Sequence, residues 1–357
     1  MSVDEFDVIR DLFAPMATSA NARGLVDDAA LLEAGGKLVV TTDALVEGVH
    51  FLPTDPVETI AMKALRVNVS DIVAKGARPT AALLTLVWSD ARPASEIAEF
   101  AAALGRDLKA FGIDLIGGDT TSTPGPLTVS MTLFGEPLAQ RTPSRAEAQV
   151  GEDIWLIGGE IGSAWLGLQL RTGKLTLARL RQGRDDQHAD ADSRSLSQTM
   201  PDYLRLPAED FDAEAAWLMT AYLAPFVRPE CASIVSKFAS ASMDLSDGLV
   251  ADAAKLAAAS GVALRIEINA VPFSIPAERW AFTGGDVRKL ITGGDDYVVM
   301  FTASPELRGA IEAAEGSRAL RLARIGVVEA GRGVSIVNLN GEALDIPEAG
   351  YSHKLGK

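Results

Sequence analysis

The chain has 357 residues, more than one typical hydrophobic core supports, so its length favours two domains. Hydrophobic residues at 48% and charged residues at 23% are ordinary values for a soluble globular protein. No apolar run reaches the roughly 18 residues of a membrane span, and the net charge of −15 argues against nucleic-acid binding, which requires Lys and Arg facing phosphates.

A single cysteine, Cys231, excludes an internal disulfide framework and a multi-cysteine zinc site. Three histidines are too few for a His-rich metal site. The first residues are acidic, whereas a signal peptide begins with basic residues followed by an apolar run. We therefore predict a cytoplasmic protein with neither a membrane nor a nucleic acid as its partner.

Apolar periodicity predicts alternating helices and strands in the first part of the chain. The predicted helices cover residues 4–18, 57–76 and 94–110, and the predicted strands cover 37–42, 83–88, 113–116 and 127–133. The segment 135–150 contains two prolines and is typical of a domain connection. We place the domain boundary there, with an N-terminal domain over 1–148 and a C-terminal domain over 149–357.

The second part of the chain has the same mixed character. Strands are predicted at 153–157, 262–268, 297–302, 323–328 and 334–338, and helices at 163–172, 213–224, 248–259, 285–291 and 305–315. Residues 181–212 lack sustained apolar periodicity, which predicts an exposed insertion. Because helices and strands mix in both halves, the predicted fold class is α/β (or α+β) in two domains.

Carboxylates recur where the apolar segments end. Asp43 follows a strand-like run, Asp119 follows two glycines, and Asp71 shares a helix face with Asn68 three residues earlier. Crowded carboxylates disfavour one another's ionised forms, so a positive charge must compensate. Hard cations with oxygen ligands are the natural candidates, although each Asp taken alone is also compatible with a turn or a helix cap.

Two further acidic motifs allow both a structural and a functional interpretation. Asp27-Asp28 lies in a predicted loop, where an Asp pair ordinarily forms a turn or caps a helix. Residues 244–248, Asp-Leu-Ser-Asp-Gly, precede a predicted helix and could cap it or present its N–H groups to a phosphate. His50 lies on a loop-like stretch seven residues beyond Asp43.

Taken in chain order, seven such stretches resemble the bacterial thiamine-monophosphate kinase family, within the fold superfamily of aminoimidazole ribonucleotide synthetase. The stretches are Val26–Ala30, Thr42–Phe51, Lys63–Ile72, Gly117–Thr121, Met243–Leu249, Gly293–Tyr297 and Gly350–His353. The resemblance implies a two-domain aminoimidazole ribonucleotide synthetase-like fold and a homodimer whose N-terminal sheets pair. It also implies phosphorylation of thiamine monophosphate to thiamine diphosphate, with ATP as co-substrate, several Mg²⁺ ions and K⁺ as a candidate further ion.

The same resemblance assigns roles to individual residues. The implied metal ligands are Asp28, Thr41, Thr42, Asp43, Asp71, Asp119, Asp244 and Asp247, of which Asp43, Asp71 and Asp119 are the implied catalytic residues. The implied ATP contacts are Gly118, Asp119, Arg145 and Ser246. The implied contacts to thiamine monophosphate are His50, Asp295 and Tyr351.

The chain departs from the family pattern at several positions, including the stretch after Arg228-Pro229 and Lys354, and three departures bear on the predicted sites. Val26 replaces a glycine, Asp295 replaces the usual Glu, and Ala101 stands where some members have an aromatic residue that contacts ATP. Two alternatives therefore stay open: another ATP-using synthetase of the superfamily, or a non-catalytic protein that binds thiamine phosphate or a nucleotide. Because the single cysteine is Cys231, selenophosphate synthetase and the hydrogenase maturation factor are disfavoured.

Overall fold

The computed structural model describes residues 9–18, 35–183, 213–315, 320–347 and 350. The chain forms two compact units, Met1–Thr142 and Pro143–Lys357, and their boundary lies within the proline-containing segment 135–150. Both units combine helices with a β-sheet, which confirms the predicted fold class. No helix in the part of the chain that the structure describes is long and apolar enough to cross a bilayer.

The first unit is built on a four-stranded sheet in the order β1-β4-β2-β3. Its elements are β1 (Val39–Val46), α1 (Val57–Ala74), β2 (Ala77–Ser89), α2 (Glu96–Phe111), β3 (Asp114–Thr123) and β4 (Thr128–Pro137). Strand β4 is antiparallel to β1 and β2, whereas β2 and β3 are parallel. The helix predicted over 4–18 is replaced, in its described part, by a π-helical turn at Ile9–Phe13 and a 3-10 turn at Ala14–Met16.

The two faces of this sheet differ. Helix α1 packs against one face and is buried at almost every position, including Ile60, Leu65 and Ile72, as an apolar helix between a sheet and α2 must be. On the opposite face of β1, Val40 is 55% exposed and Thr42 is also exposed. This unit thus presents an open sheet face with apolar and hydroxyl side chains.

The second unit is built on a six-stranded sheet in the order β10-β7-β9-β5-β8-β6. Strands β10 and β7 are parallel, and the other neighbours are antiparallel. The strands are β5 (Asp153–Ile157), β6 (Ala241–Asp244), β7 (Ala263–Glu267), β8 (Val299–Ala303), β9 (Ala323–Glu329) and β10 (Gly333–Val337). The helices are α3 (Ser163–Arg171), α4 (Leu177–Leu180), α5 (Ala213–Leu223), α6 (Cys231–Phe238), α7 (Leu249–Ser260), α8 (Ile275–Phe282), α9 (Val287–Thr292) and α10 (Arg308–Glu315).

The core of the second unit lies on both sides of β5, every residue of which is buried. Ile154 and Leu156 belong to the main apolar cluster, while Trp155 stacks on Phe301 with ring centroids 6.2 Å apart. A second apolar cluster joins α3, α5, α8 and α9. The insertion predicted at 181–212 lies outside the described residues from 184 onwards, and residues 181–183 form a turn after α4.

Candidate active site

Strand β1 and helix α1 bring Asp43 and Asp71 together in the first unit. The Thr41 hydroxyl donates to Asp71 Oδ2 at 2.6 Å, and the Asp43 backbone N–H donates to Asn68 Oδ1 at 3.0 Å. The side-chain amide of Asn68 in turn donates to the Ala64 carbonyl at 3.0 Å, which fixes its orientation. The polar face of the otherwise apolar helix therefore finds its partners in β1.

The electrostatics of this pair favour a bound cation. Burial, and secondarily the charge of Asp71, raises the pKa of Asp43 from 3.8 to about 6. A cation beside both carboxylates would remove this penalty, because an opposite charge favours the ionised form. All the candidate ligand atoms are oxygens. Protein-bound Mg²⁺ usually keeps several water ligands and is coordinated by one or two carboxylates.

The pair alone is not a complete metal-binding cluster. Within the ranges that the structure describes, no three His, Cys, Asp or Glu side chains converge as a metal site. The residues at hand thus fit Mg²⁺ in the chemistry of their donors, with water or substrate oxygens completing the coordination.

Thr42 lies on the other face of β1, since side chains alternate along a strand. Its hydroxyl donates to the Met131 carbonyl at 3.1 Å and accepts from the Thr132 hydroxyl at 3.1 Å on β4. A contact between Thr42 and an ion held by Asp43 would therefore use the Thr42 backbone carbonyl.

His50 lies on a tight loop after β1. Its Nδ1 accepts the Val46 N–H at 3.0 Å, which places the ring proton on Nε2, and its carbonyl accepts from the buried ammonium of Lys63 at 3.1 Å. Gly48 adopts a φ of +80°, and its N–H donates to the Phe51 carbonyl at 2.8 Å. The His50 imidazole is thus oriented by its own loop and by α1.

Arg92 forms hydrogen bonds with both ends of this loop, and these contacts were not predicted from the sequence. Its guanidinium donates to Glu47 at 2.8 Å, to Glu96 at 2.8 Å and to the Pro53 carbonyl at 3.1 Å. The Arg92 side chain is only 11% exposed, so these charge-assisted bonds are shielded from solvent and the loop is anchored at both ends.

The Gly117-Gly118-Asp119 motif lies inside β3. A Cβ added at Gly118 would lie 1.8 Å from the Leu84 carbonyl oxygen, so the close approach of β2 requires glycine there. The approach occurs beside a register shift between β2 and β3. Asp119 is exposed and lies opposite Thr85 in the ladder, where its carboxylate is accessible to a ligand.

In the second unit, the loop 244–248 joins β6 to α7. Asp244 ends β6 and is 5% exposed. The Asp247 carboxylate accepts from Lys255 Nζ at 2.5 Å, and Lys255 also donates to the buried carboxylate of Asp252 at 2.7 Å. Asp252 accepts the Asp247 N–H at 2.8 Å as well, so an ammonium group and a buried acid together position Asp247.

The motif Gly-Gly-Asp-Asp-Tyr at 293–297 packs directly on that loop. The Asp295 N–H donates to the Ser246 carbonyl at 2.9 Å, and the Tyr297 N–H donates to the Leu245 carbonyl at 2.8 Å. Asp295 and Tyr297 have φ values of +71° and +51°, a conformation that is uncommon for non-glycine residues and that concentrates at functional sites. The predicted ATP contact Ser246 and the predicted substrate contact Asp295 are therefore neighbours.

A cleft opens beside Asp295 within the second unit. Its lining includes Glu160, Trp217, Phe226, Arg228, Asp295 and Arg321. This cleft could not be predicted from the sequence, because its lining comes from four separate stretches of chain.

The roles assigned to all of the site residues stay predictions, and for three of them the structure adds little. Asp28 and Tyr351 lie outside the described residues. The Arg145 side chain is exposed, and its backbone carbonyl accepts from the Ser260 hydroxyl at 2.7 Å.

Comparison with known proteins finds matches in both halves of the chain. Residues 26–136 match the model for the N-terminal domain of AIR synthase related proteins, and residues 223–338 match the model for the C-terminal domain. A curated thiamine-monophosphate kinase from Caulobacter vibrioides is 32% identical over 338 residues, which cover 93% of this chain and 86% of the relative.

Two solved structures are similar over nearly the whole chain. Thiamine-monophosphate kinase from Stenotrophomonas maltophilia is 32% identical with a TM-score of 0.74, covering 96% of this chain and 99% of the other. AaThiL complexed with AMPPCP and TMP is 28% identical with a TM-score of 0.69, covering 98% of this chain and 97% of the other. On these matches, this chain belongs to the thiamine-monophosphate kinase family.

Proposed function

We propose that this protein is an ATP-dependent kinase that converts thiamine monophosphate to thiamine diphosphate. The observation that carries the proposal is its similarity, along nearly its whole length, to thiamine-monophosphate kinases, one of which was solved with an ATP analogue and TMP. The paired carboxylates of Asp43 and Asp71 support it, because phosphoryl transfer depends on positioning and charge neutralisation more than on covalent chemistry by the protein.

The proposed reaction is a direct in-line transfer. A phosphate oxygen of thiamine monophosphate attacks the γ-phosphorus of ATP, a new P–O bond forms, and the bond from the γ-phosphorus to the bridging oxygen breaks to release ADP. The attacking phosphate has a second pKa of about 6 and is already largely deprotonated near neutral pH. The protein therefore needs neither a phosphorylated intermediate nor a strong general base.

Several Mg²⁺ ions are part of the proposal. Bound Mg²⁺ would neutralise the charge that two anionic substrates bring to an acidic protein. Asp43 and Asp71 are proposed ligands; the Thr41 hydroxyl donates to the Asp71 carboxylate, and Asn68 accepts the Asp43 backbone N–H. Further proposed ligands are Asp28, Thr41, Thr42, Asp119, Asp244 and Asp247, and K⁺ is a further ion to test.

The substrates are assigned to different residues. Gly118, Asp119, Arg145 and Ser246 are the proposed contacts to ATP, and His50, Asp295 and Tyr351 are the proposed contacts to thiamine monophosphate. Two observations support this division. Nε2 of His50 carries the ring proton and can donate to a phosphate oxygen. The Asp295 N–H donates to the Ser246 carbonyl, so a proposed substrate contact is a neighbour of a proposed ATP contact.

We further propose a cytoplasmic homodimer that pairs through the open sheet face of the first unit. Support comes from Val40, a large apolar residue that is 55% exposed on that face. Exposed apolar surface on a sheet is a common site of association.

The test is a turnover assay with the purified full-length protein. ATP, thiamine monophosphate and Mg²⁺ should give thiamine diphosphate and ADP in equal amounts, and chelation of Mg²⁺ should stop both. The substrates of aminoimidazole ribonucleotide synthetase are assayed in parallel, to test the alternative of another ATP-using synthetase. Binding of thiamine monophosphate without turnover would favour the non-catalytic alternative and would overturn the proposal.

A further inference from the structure

A buried lysine on α1 contacts the loop that carries His50. Lys63 is only 2% exposed, although an ammonium group is costly to remove from water. Its Nζ donates to the His50 carbonyl at 3.1 Å, and Lys63 has further interactions as well. A methionine would fill the same space without a charge to desolvate. The buried ammonium therefore calls for a role beyond packing.

The bond from Lys63 fixes the backbone of His50 where other contacts also converge. Phe51, the next residue, is 3% exposed, so its ring anchors the chain in the apolar interior. The Phe51 carbonyl accepts the Gly48 N–H at 2.8 Å, and the His50 N–H donates to the Val46 carbonyl at 3.0 Å. The peptide group between His50 and Phe51 is thus held by an ammonium at its carbonyl and by the buried ring that follows it.

The orientation of the His50 imidazole depends on this backbone. Nδ1 accepts the Val46 N–H at 3.0 Å, which requires the backbone of His50 to stay close to the end of β1. His50 is half-buried, so its ring is accessible to a ligand from one side. Lys63 therefore acts on the imidazole through the main chain, because it binds the carbonyl of the same residue.

Helix α1 holds Asp43 as well as His50. Asn68 accepts the Asp43 N–H at 3.0 Å and donates to the carbonyl of Ala64, the residue after Lys63. Lys63 and Asn68 are separated by about 7.5 Å along the helix axis, the rise of five residues. Two side chains of one rigid helix thus fix the positions of the proposed metal ligand Asp43 and of the proposed substrate contact His50.

We propose that Lys63 is a positioning residue, whose buried ammonium sets the distance between the His50 imidazole and the Asp43–Asp71 pair. The inference rests on the proposed kinase function, in which His50 contacts thiamine monophosphate and the acid pair holds Mg²⁺. Because Lys63 is buried, it acts through His50 and not by contact with the substrate.

Lys63→Met tests the proposal, because it keeps most of the side-chain volume and removes the ammonium. KM for thiamine monophosphate should rise about 10-fold, because a small misplacement of a contact group weakens its interaction, whereas KM for ATP should stay within about 2-fold. A variant that merely folds less well would not show this difference between the two substrates. Lys109→Met, which removes an exposed ammonium from α2, is the matched control and should keep both wild-type KM values.

A double-mutant cycle tests whether Lys63 acts through His50. His50→Ala should raise KM for thiamine monophosphate by itself. Adding Lys63→Met to His50→Ala should change KM little further, because substitutions of two coupled residues are not additive. If Lys63 acts independently of His50, the two effects on KM should instead multiply.

Backbone amide hydrogen exchange gives a readout that does not depend on turnover. In Lys63→Met the Val46 amide should exchange faster than in wild type, because its bond to the His50 ring is weakened. The amides of residues 65–70 should keep their wild-type exchange rates, which shows that α1 itself stays folded.

The outcomes separate this inference from the proposed function. If wild-type protein makes no thiamine diphosphate, the kinase proposal fails, and faster Val46 exchange in Lys63→Met still supports the positioning of His50. If wild type is active, the inference about Lys63 is overturned by any of three results. These are an unchanged KM for thiamine monophosphate in Lys63→Met, an unchanged KM in His50→Ala, or a full effect of Lys63→Met in the His50→Ala background.

Discussion

Replacing Asp43 by Asn tests whether crowded carboxylates create the proposed metal site. Asp43 has a folded-state pKa of about 6 against an ordinary 3.8, so protonation stabilises the metal-free fold at acidic pH. That contribution is lost as the pH rises through about 6, because the group must then ionise in a buried position beside Asp71.

The magnitude follows from the two pKa values. Between about pH 5 and about pH 8, Asp43 should lower the unfolding free energy of metal-free protein by at most about 1.4 kcal/mol, and its partial exposure brings this closer to about 1 kcal/mol. Asp43→Asn removes the titrating group, so the variant should lose this pH dependence. At about pH 8 without metal it should be more stable than wild type.

Urea unfolding in EDTA at both pH values, repeated with Mg²⁺, measures this directly. Mg²⁺ should stabilise wild type more than Asp43→Asn, because a ligand stabilises the state that binds it. Asp90→Asn, which removes an exposed carboxyl at the end of β2, is the control and should retain the wild-type pH dependence. Equal pH dependence in Asp43→Asn and wild type, or equal stabilisation of both by Mg²⁺, would refute the reasoning.

Three other changes test separate parts of the molecule. Arg92→Ala should raise KM for thiamine monophosphate several-fold and speed backbone amide hydrogen exchange over residues 47–53, because the His50 loop loses its bonds to Arg92. An unchanged exchange rate would contradict this reasoning. If the proposed homodimer pairs through the open sheet face, Val40→Glu should sediment as a monomer, and a Val40→Glu protein that sediments like wild type would contradict that interface. Lys255→Met should lower the Mg²⁺ concentration that gives half-maximal activity, because the Lys255 ammonium no longer competes with Mg²⁺ for the Asp247 carboxylate. A variant that needs more Mg²⁺ than wild type would argue against that competition.

Local sequence signals predicted most elements but misplaced some boundaries. Strand β5 was predicted correctly at 153–157, because a short buried apolar run leaves little ambiguity. Strand β2 begins at Ala77, well before the predicted residue 83. In the structure a register shift follows Pro79 in its pairing with β4, which is how a strand accommodates proline.

Helix α8 was missed although its start is marked in the sequence. Ser274 accepts from the Ala277 N–H, and Pro276 occupies the first turn, a capping residue followed by an early proline. The polar helix face of Asn68 and Asp71 could be predicted from the spacing of the two residues, whereas their contacts with Thr41 and Asp43 depend on the fold. The contact of Arg92 with Glu47 was not predicted, because the two residues are remote in sequence and only the fold brings them together.

The replacement of Glu by Asp at position 295 agrees with the backbone conformation of this residue. With φ at +71°, the residue lies in the left-handed region, which Asp tolerates better than Glu. The shorter side chain reaches less far into the cleft that Asp295 lines. Since the Asp295 N–H donates to the Ser246 carbonyl and the Tyr297 N–H donates to the Leu245 carbonyl, the backbone of two adjoining loops fixes where this carboxylate lies. A longer side chain at this position would therefore have to adopt the same left-handed backbone conformation, which Glu tolerates less well than Asp.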